Sequence, residues 1–403
     1  MRVLYANPIF LNYRIPFYKE LNKLFQGNFY ILFSKKRYIG RSNFEPLLKT
    51  IPEQLGDNAI PYDKEITYYP NTNSFHFIPK DKINPKIPFV ITFPLFLLKT
   101  IKQYKPDVLI SEGFSQWTPF LCIYAWIHKT PLFIGYERTC HTERNASYLK
   151  IFQRKIVNKF VSGYIANGSE TKKYLETLGF SHNKIFIGGM SADSEGLRKT
   201  ISQMSDEEKR EMKKKYNPTE KGLIYLFSGY FITRKGIDHL LSSWIQHIKN
   251  HINDNLILLG DGLLYDSLYK EYCNEKSIHF EGRIPYNQIG KYYAISDVFI
   301  MPTIEDNWSL VIPEAMACGL PVATSIYNGC HPELVHKDKN GITFDTFKHE
   351  TILNALDYFH NVNLKDFGQE SIRIEEKFNA KNSAYRVYQS ILKITNNDMN
   401  GKS

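Results

Sequence analysis

Met301-Pro302-Thr303-Ile304-Glu305-Asp306-Asn307-Trp308-Ser309-Leu310-Val311-Ile312-Pro313-Glu314-Ala315-Met316-Ala317-Cys318-Gly319-Leu320-Pro321-Val322 is the stretch that decides the fold. An apolar strand, Val298–Met301, empties into a polar loop with two acids. A short helix is expected from near Pro313–Glu314 to Gly319, with proline in its first turn and glycine at its end. Asp306 and Glu314 then flank a helix N-terminus, whose outward N–H groups attract phosphate. Carboxylates beside such a site accept hydrogen bonds from sugar hydroxyls. Phosphate donors beside hydroxyl acceptors suit a nucleotide-sugar.

The same stretch resembles the acid-x7-Glu signature of retaining GT-B glycosyltransferases of family 4, commonly E-G-F-G-L-V-x-x-E-A-M-A-x-G-x-P-V. Asp306 stands at the first acidic position, with Glu305 one residue earlier as the alternative. Asn307, Trp308 and Ser309 replace the usual Gly-aromatic-Gly, and Glu314 to Val322 match without a departure. The resemblance implies that Glu314 bonds the ribose, Asp306 the donor sugar, and the Asn307–Leu310 backbone the diphosphate.

Upstream, Phe227-Ser228-Gly229-Tyr230-Phe231-Ile232-Thr233-Arg234-Lys235-Gly236 is similar to the family's G-R-x-x-x-x-K-G segment, whose cations hold the donor diphosphate. Lys235 matches the lysine. Tyr230 replaces the arginine, and Arg234 is the expected second charge. Such cations stabilise a leaving diphosphate without a metal. Gly260-Asp261-Gly262-Leu263 resembles the family's G-x-G-x-L, whose glycines turn the chain close to the nucleotide. Arg283 falls where relatives wrap the base; a plain surface arginine fits equally.

In the first half, Gly135-Tyr136-Glu137-Arg138-Thr139-Cys140-His141-Thr142-Glu143-Arg144-Asn145 leaves a buried-looking strand dense in ionisable groups, as a loop facing a cleft does. The resemblance implies that Glu137 or His141 faces the reacting sugar and that Arg138 or Arg144 holds an acceptor phosphate. Structural salt links are the competing reading. Arg14, in Tyr13-Arg14-Ile15-Pro16-Phe17, reads either as a phosphate contact or as a surface charge at a helix start. Gly188-Gly189-Met190-Ser191-Ala192-Asp193 stands where relatives have an N-G-V-D hinge turn.

With 403 residues, two domains are the default. A net charge of +10 raises a nucleic-acid reading, but the basic residues are dispersed and no nucleic-acid motif accompanies them. Five cysteines without a C-x-x-C pair read as thiols of a reducing, cytoplasmic compartment. No Asp-x-Asp occurs, so no metal is expected on the diphosphate, no Cys/His cluster suggests zinc, and no cofactor is expected. Met1–Asn7 reads as a strand and not a signal peptide. The most hydrophobic window, Ile87–Leu98, is too short to span a bilayer.

The basic stretch Tyr148–Val161 has apolar residues at 149, 152, 156 and 160 and cations at 150, 154, 155 and 159. The simpler reading turns the apolar stripe to the core and the cations to solvent. The other presses the stretch on an anionic membrane, beside a lipid-linked acceptor.

Strands are expected at Val3–Ala6, Phe29–Phe33, Val108–Ser111, Leu132–Tyr136 and Tyr164–Asn167, and again at Leu223–Ser228, Asn255–Leu259, Ile278–Glu281, Val298–Met301 and Pro321–Ser325. Helical stretches alternate with them, and Ser205-Asp206-Glu207-Glu208 is a capping box. The expectation is an α/β GT-B fold of two Rossmann-like domains facing a cleft. Residues 1–200 form the acceptor side and 201–222 a linker. Residues 223–375 bind the nucleotide-sugar, and 376–403 form a helix returning to the first domain. The expected activity is retaining transfer of a hexose-type sugar from a UDP-sugar to a glycan or polyprenyl-linked acceptor in cell-surface polysaccharide assembly. The alternatives are a nucleotide-sugar hydrolase-epimerase of the same fold and a non-catalytic glycan- or nucleotide-binding subunit.

Overall fold

The computed structural model describes residues 1–37, 52–69, 74–76 and 91–400. The first sheet comprises β1 (Val3–Asn7), β2 (Phe29–Ser34) and β3 (Ala59–Tyr62). A separate antiparallel sheet is made of β4 (Glu65–Tyr69), β5 (Ser74–His76) and β6 (Ile91–Pro94). The first sheet then continues with β7 (Val108–Glu112), β8 (Leu132–Tyr136), β9 (Gly163–Ala166) and β10 (Ile185–Ile187). A second sheet contains β11 (Ile224–Ser228), β12 (Asn255–Leu259), β13 (Ile278–Gly282), β14 (Val298–Met301), β15 (Val322–Ser325) and β16 (Gly341–Phe344).

Both large sheets are parallel, in orders β10-β9-β8-β7-β1-β2-β3 and β13-β12-β11-β14-β15-β16. Their central strands are buried throughout, as sheets covered by helices on both faces require. In each sheet the strand order reverses beside the first strand, so β1 neighbours β7 and β11 neighbours β14. Loops leaving such a pair diverge and open a crevice at the carboxyl ends of the strands. Arg14 and Glu112 meet there in the first sheet, 2.9 Å apart; Lys235 and Asp306 meet there in the second. Arg14 is buried in this pair, so the surface-charge reading of it is wrong.

Helices Ser194–Ser202 and Asp206–Tyr216 connect the domains, and both pack on Tyr286–Ile295. The capping box is present: Ser205 Oγ accepts from Glu208 N, and the Glu208 carboxylate accepts from Ser205 N. Helix Ala380–Asn400 packs on Ile15–Leu24, burying Ala384, Val387 and Ile391 against the first sheet's core.

Two expectations are corrected, those for the helices Val311–Ala317 and Tyr148–Asn158. The short helix begins at Val311, ahead of Pro313, because proline is tolerated throughout a first turn whose N–H groups are unpaired. Residues 87–90 of the hydrophobic window lie outside the described residues, and Ile91–Pro94 is a strand. The helix Tyr148–Asn158 is rotated from its core-facing reading. Arg154 and Val157 are its buried residues, while Leu149, Phe152, Ile156 and the following Phe160 face outward.

Candidate functional site

The loop after β11 carries the phosphate-binding candidates. Its chain path depends on close backbone approach: a Cβ on Gly260 would stand 1.9 Å from Gly229 O, and one on Gly262 2.6 Å from Phe231 O. Phe231 N donates to Asp261 O at 2.7 Å, and Leu264 N to Phe231 O at 2.9 Å. The two glycines therefore clamp the loop in place. Gly236, at φ 63°, lets the chain turn under Pro302 O. Between these points a short 3-10 turn, Thr233–Lys235, aims Lys235 inward and leaves Arg234 half exposed.

Lys235 Nζ lies 2.6 Å from Asp306 Oδ2, and Arg234 Nη1 lies 3.4 Å from the same oxygen. Burial alone would raise the Asp306 pKa, but the charge and hydrogen bond of Lys235 outweigh it, and the carboxyl sits below its ordinary range. Glu305 points elsewhere, to Arg144 at 2.7 Å. Asp306, not Glu305, is thus the acid at the cationic turn.

Glu314 is buried on the helix Val311–Ala317, where its carboxylate accepts from Tyr286 Oη at 3.3 Å and from Tyr293 Oη at 3.1 Å. Burial lifts its pKa to about 7, against the lowering effect of the two tyrosines. The intervening loop is partly committed to itself. Trp308 N donates to Asp306 Oδ1 at 3.2 Å and Ser309 N to Asn328 Oδ1 at 3.3 Å. These two N–H groups are thus held by the side chains of Asp306 and Asn328. The Trp308 ring is buried between Phe378 and Gly168 of the first domain. Asn307 Oδ1 and Trp308 Nε1 are buried without a hydrogen-bond partner, an unsatisfied polarity that is costly unless a ligand or water meets it. Leu310 is half-buried beside them, and Arg283 is exposed on the turn after β13.

The first domain's 137–144 loop meets this site across the crevice. His141 Nε2 lies 2.9 Å from Ile304 O, and its ring stacks on Tyr327 at 4.7 Å. Glu137 Oε1 accepts from Asn307 Nδ2 at 3.4 Å. Burial, then the neighbouring Glu112, raises the Glu137 pKa. Arg138 pairs with Glu143 at 3.8 Å. Glu137, His141, Lys235, Asp306 and Asn307 are therefore gathered into one interdomain constellation, with Glu314 on the helix that follows.

Sequence reading missed Tyr286, Tyr293, Asn328 and Tyr327, whose contacts come from strands and helices remote in sequence. It also missed a cluster at the amino end of β12. His247 contacts Asp254 at 2.8 Å and Asp357 at 3.0 Å, His360 contacts Asp254 at 2.8 Å, and His251 contacts Asp357 at 3.1 Å. Their donor atoms are close enough to chelate a cation, yet every one of these contacts is also a hydrogen bond that an imidazole N–H can make. The cluster lies at the opposite end of the sheet from Lys235 and Asp306.

Residues 208–370 match the family Glycosyl transferases group 1. This part of the chain is a glycosyl transferases group 1 domain. It holds Lys235, Asp306 and Glu314. Over 158 residues the chain is 26% identical to the alpha-monoglucosyldiacylglycerol synthase of Acholeplasma laidlawii, covering 38% of this chain and 39% of that one. Over 310 residues it is 23% identical to an uncharacterized 41.2 kDa protein in the cps region of Klebsiella pneumoniae, covering 73% and 82%. The first curated relatives are spanned over less than half their length, 46%, 39% and 38%. Anabaena HepE, solved in complex with UDP, superposes with a TM-score of 0.71 at 15% identity over 98% of this chain and all of that one. That likeness establishes the GT-B fold, in which the group 1 domain is the second of two.

Proposed function

We propose that the protein is a retaining glycosyltransferase that moves a sugar from a UDP-sugar to a glycan or lipid-linked glycan. The observation that carries the reading is the Lys235–Asp306 pair at the β11/β14 switch point, within the group 1 domain and opposite the first domain's ionisable loop. The UDP found with HepE, and the lipid- and capsule-related names of the relatives, support this choice of donor and acceptor.

In this reading the donor diphosphate displaces Asp306 from Lys235 and takes the charge-assisted bonds of Lys235 and Arg234. Asp306 then turns to the donor sugar's hydroxyls, and Glu314 exchanges its tyrosine partners for those of the ribose. The leaving diphosphate takes the acceptor hydroxyl's proton as the new bond forms on the same face, so no separate protein base is needed. Glu137 and His141 close the crevice from the first domain and keep water from hydrolysing the donor. No metal is required on the diphosphate, and the expected place of work is the cytoplasmic face of the plasma membrane.

The test is transfer from labelled UDP-glucose, UDP-galactose and the UDP-N-acetylhexosamines to a lipid-linked acceptor fraction, in chelator, with the product's anomeric configuration read by NMR. Transfer with retention is expected. Inversion, or donor hydrolysis unaffected by acceptor, would overturn the proposal and favour the hydrolase-epimerase alternative.

A further inference from the structure

The first domain presents an apolar face that the fold leaves uncovered. Of 21 exposed large hydrophobic side chains among the described residues, 11 fall between Phe93 and Phe160. They sit on three neighbouring pieces: the end of β6 with the turn after it, helix Thr118–His128, and helix Tyr148–Asn158 with Phe160 just beyond it. Helix Leu97–Tyr104 packs on the first of these helices, and that helix packs on the second.

On Tyr148–Asn158, Tyr148 is 92%, Leu149 80% and Phe152 62% exposed. On Thr118–His128, Trp126 is 73% exposed beside Ile127. Phe93, Leu95 and Phe96 extend the patch. Apolar side chains scattered singly need no explanation, but a contiguous patch on adjoining elements does.

The cause lies beneath the patch. Arg154 points into the domain, 2.9 Å from Glu143, with its guanidinium near the rings of Phe114, Tyr136 and Tyr174. The buried ion pair fixes the helix with Leu149, Phe152 and Ile156 facing out. An outward apolar stripe is therefore built in.

The charges select the occupant. Residues 91–105, 118–129 and 148–160 contain no Asp or Glu. Lys99, Lys102, Lys129, Lys150, Lys155 and Lys159 on them are exposed. A second copy packed on this face would bring lysines against lysines, since a two-fold interface opposes like with like. An anionic bilayer offers both an apolar interior for the aromatics and phosphates for the lysines. Among the described residues no helix is long and apolar enough to cross a membrane, so the contact is peripheral.

We infer that the face formed by 93–96, Thr118–His128 and Tyr148–Asn158 seats the protein on an anionic lipid surface, with the 137–147 loop at its edge. Tyr148 follows by four residues Arg144, which pairs with Glu305 across the crevice. A glycan head carried on a membrane lipid would thus meet the cleft from the first-domain side. This last step rests on the transferase reading; the membrane contact does not.

The experiment is flotation of the full chain with vesicles of phosphatidylcholine alone and with about one-third phosphatidylglycerol. The wild type is expected to float with the anionic vesicles only, and less at high salt. Trp126→Glu with Phe152→Glu, and separately Lys155→Glu with Lys159→Glu, should each weaken binding more than about tenfold. All these side chains are exposed, so thermal unfolding and UDP binding should stay unchanged. Loss of flotation with UDP binding intact therefore separates this inference from the donor-site reading. Failure of the wild type to float, equal flotation of the variants, or a dimer in sedimentation that the apolar variant dissolves would each overturn it.

Discussion

Lys235 Nζ lies 2.6 Å from Asp306 Oδ2, and both side chains are about nine-tenths shielded from water. The pair joins two loops that leave adjacent parallel strands in diverging directions. Removing one partner leaves the other charge buried, so Lys235→Ala should cost about 3 kcal/mol of stability. Lys235→Ala with Asp306→Ala should recover part of that loss. Urea denaturation of the two single variants and the double variant measures the coupling; a double-variant loss equal to the sum of the two single losses would mean that the two groups do not interact.

Glu314 supplies a pH dependence with a definite sign. Its pKa rises from an ordinary carboxyl value to about 7 on folding, so the folded state binds the proton more tightly. Stability from this group is then full below about pH 4.5 and falls as the pH rises through 7. The loss reaches up to about 3 kcal/mol by alkaline pH. Glu314→Gln should flatten that part of the stability–pH curve, measured by denaturation at intervals from pH 5 to pH 9 (about one unit apart).

Gly260 tests the clamp on the phosphate-binding turn. Its φ is 137°, and an added Cβ would collide with Gly229 O. Gly260→Ala is expected to destabilise by about 2–4 kcal/mol and to weaken UDP binding, because the 229–236 loop must shift. Unchanged melting and binding would show that the loop is not held there.

Arg144 and Glu305 bridge the two domains from partly exposed positions. Their coupling should stay below about 1 kcal/mol in a double-mutant cycle. The effect should instead appear in domain closure: Arg144→Ala is expected to speed amide exchange in residues 303–306 while global unfolding is unchanged.

Much of this was legible in the chain, for identifiable reasons. Strands β11, β12 and β14 are short apolar runs buried on both faces and bounded by Gly, Pro or Asp, so their edges were read to within a residue. Lys235, Asp306 and Glu314 are linked to motifs of fixed spacing. By contrast β3, β10 and β16 are three- or four-residue edge strands with little pattern of their own, set by the neighbour they pair with. The rotation of Tyr148–Asn158 was misread because periodicity identifies an apolar stripe but not the side it faces. One buried Arg154–Glu143 pair decided that. The tyrosines on Glu314 and the histidines around Asp254 come together only through tertiary packing.

Calorimetric titration with UDP, GDP and ADP in the presence of a chelator tests the proposed metal-independent nucleotide-sugar site on the second domain. UDP is expected to bind preferentially, and Lys235→Ala and Glu314→Ala are each expected to weaken its binding by more than about tenfold. Absence of binding by all three nucleotides, or binding that neither substitution changes, would rule out a donor site at Lys235 and Glu314.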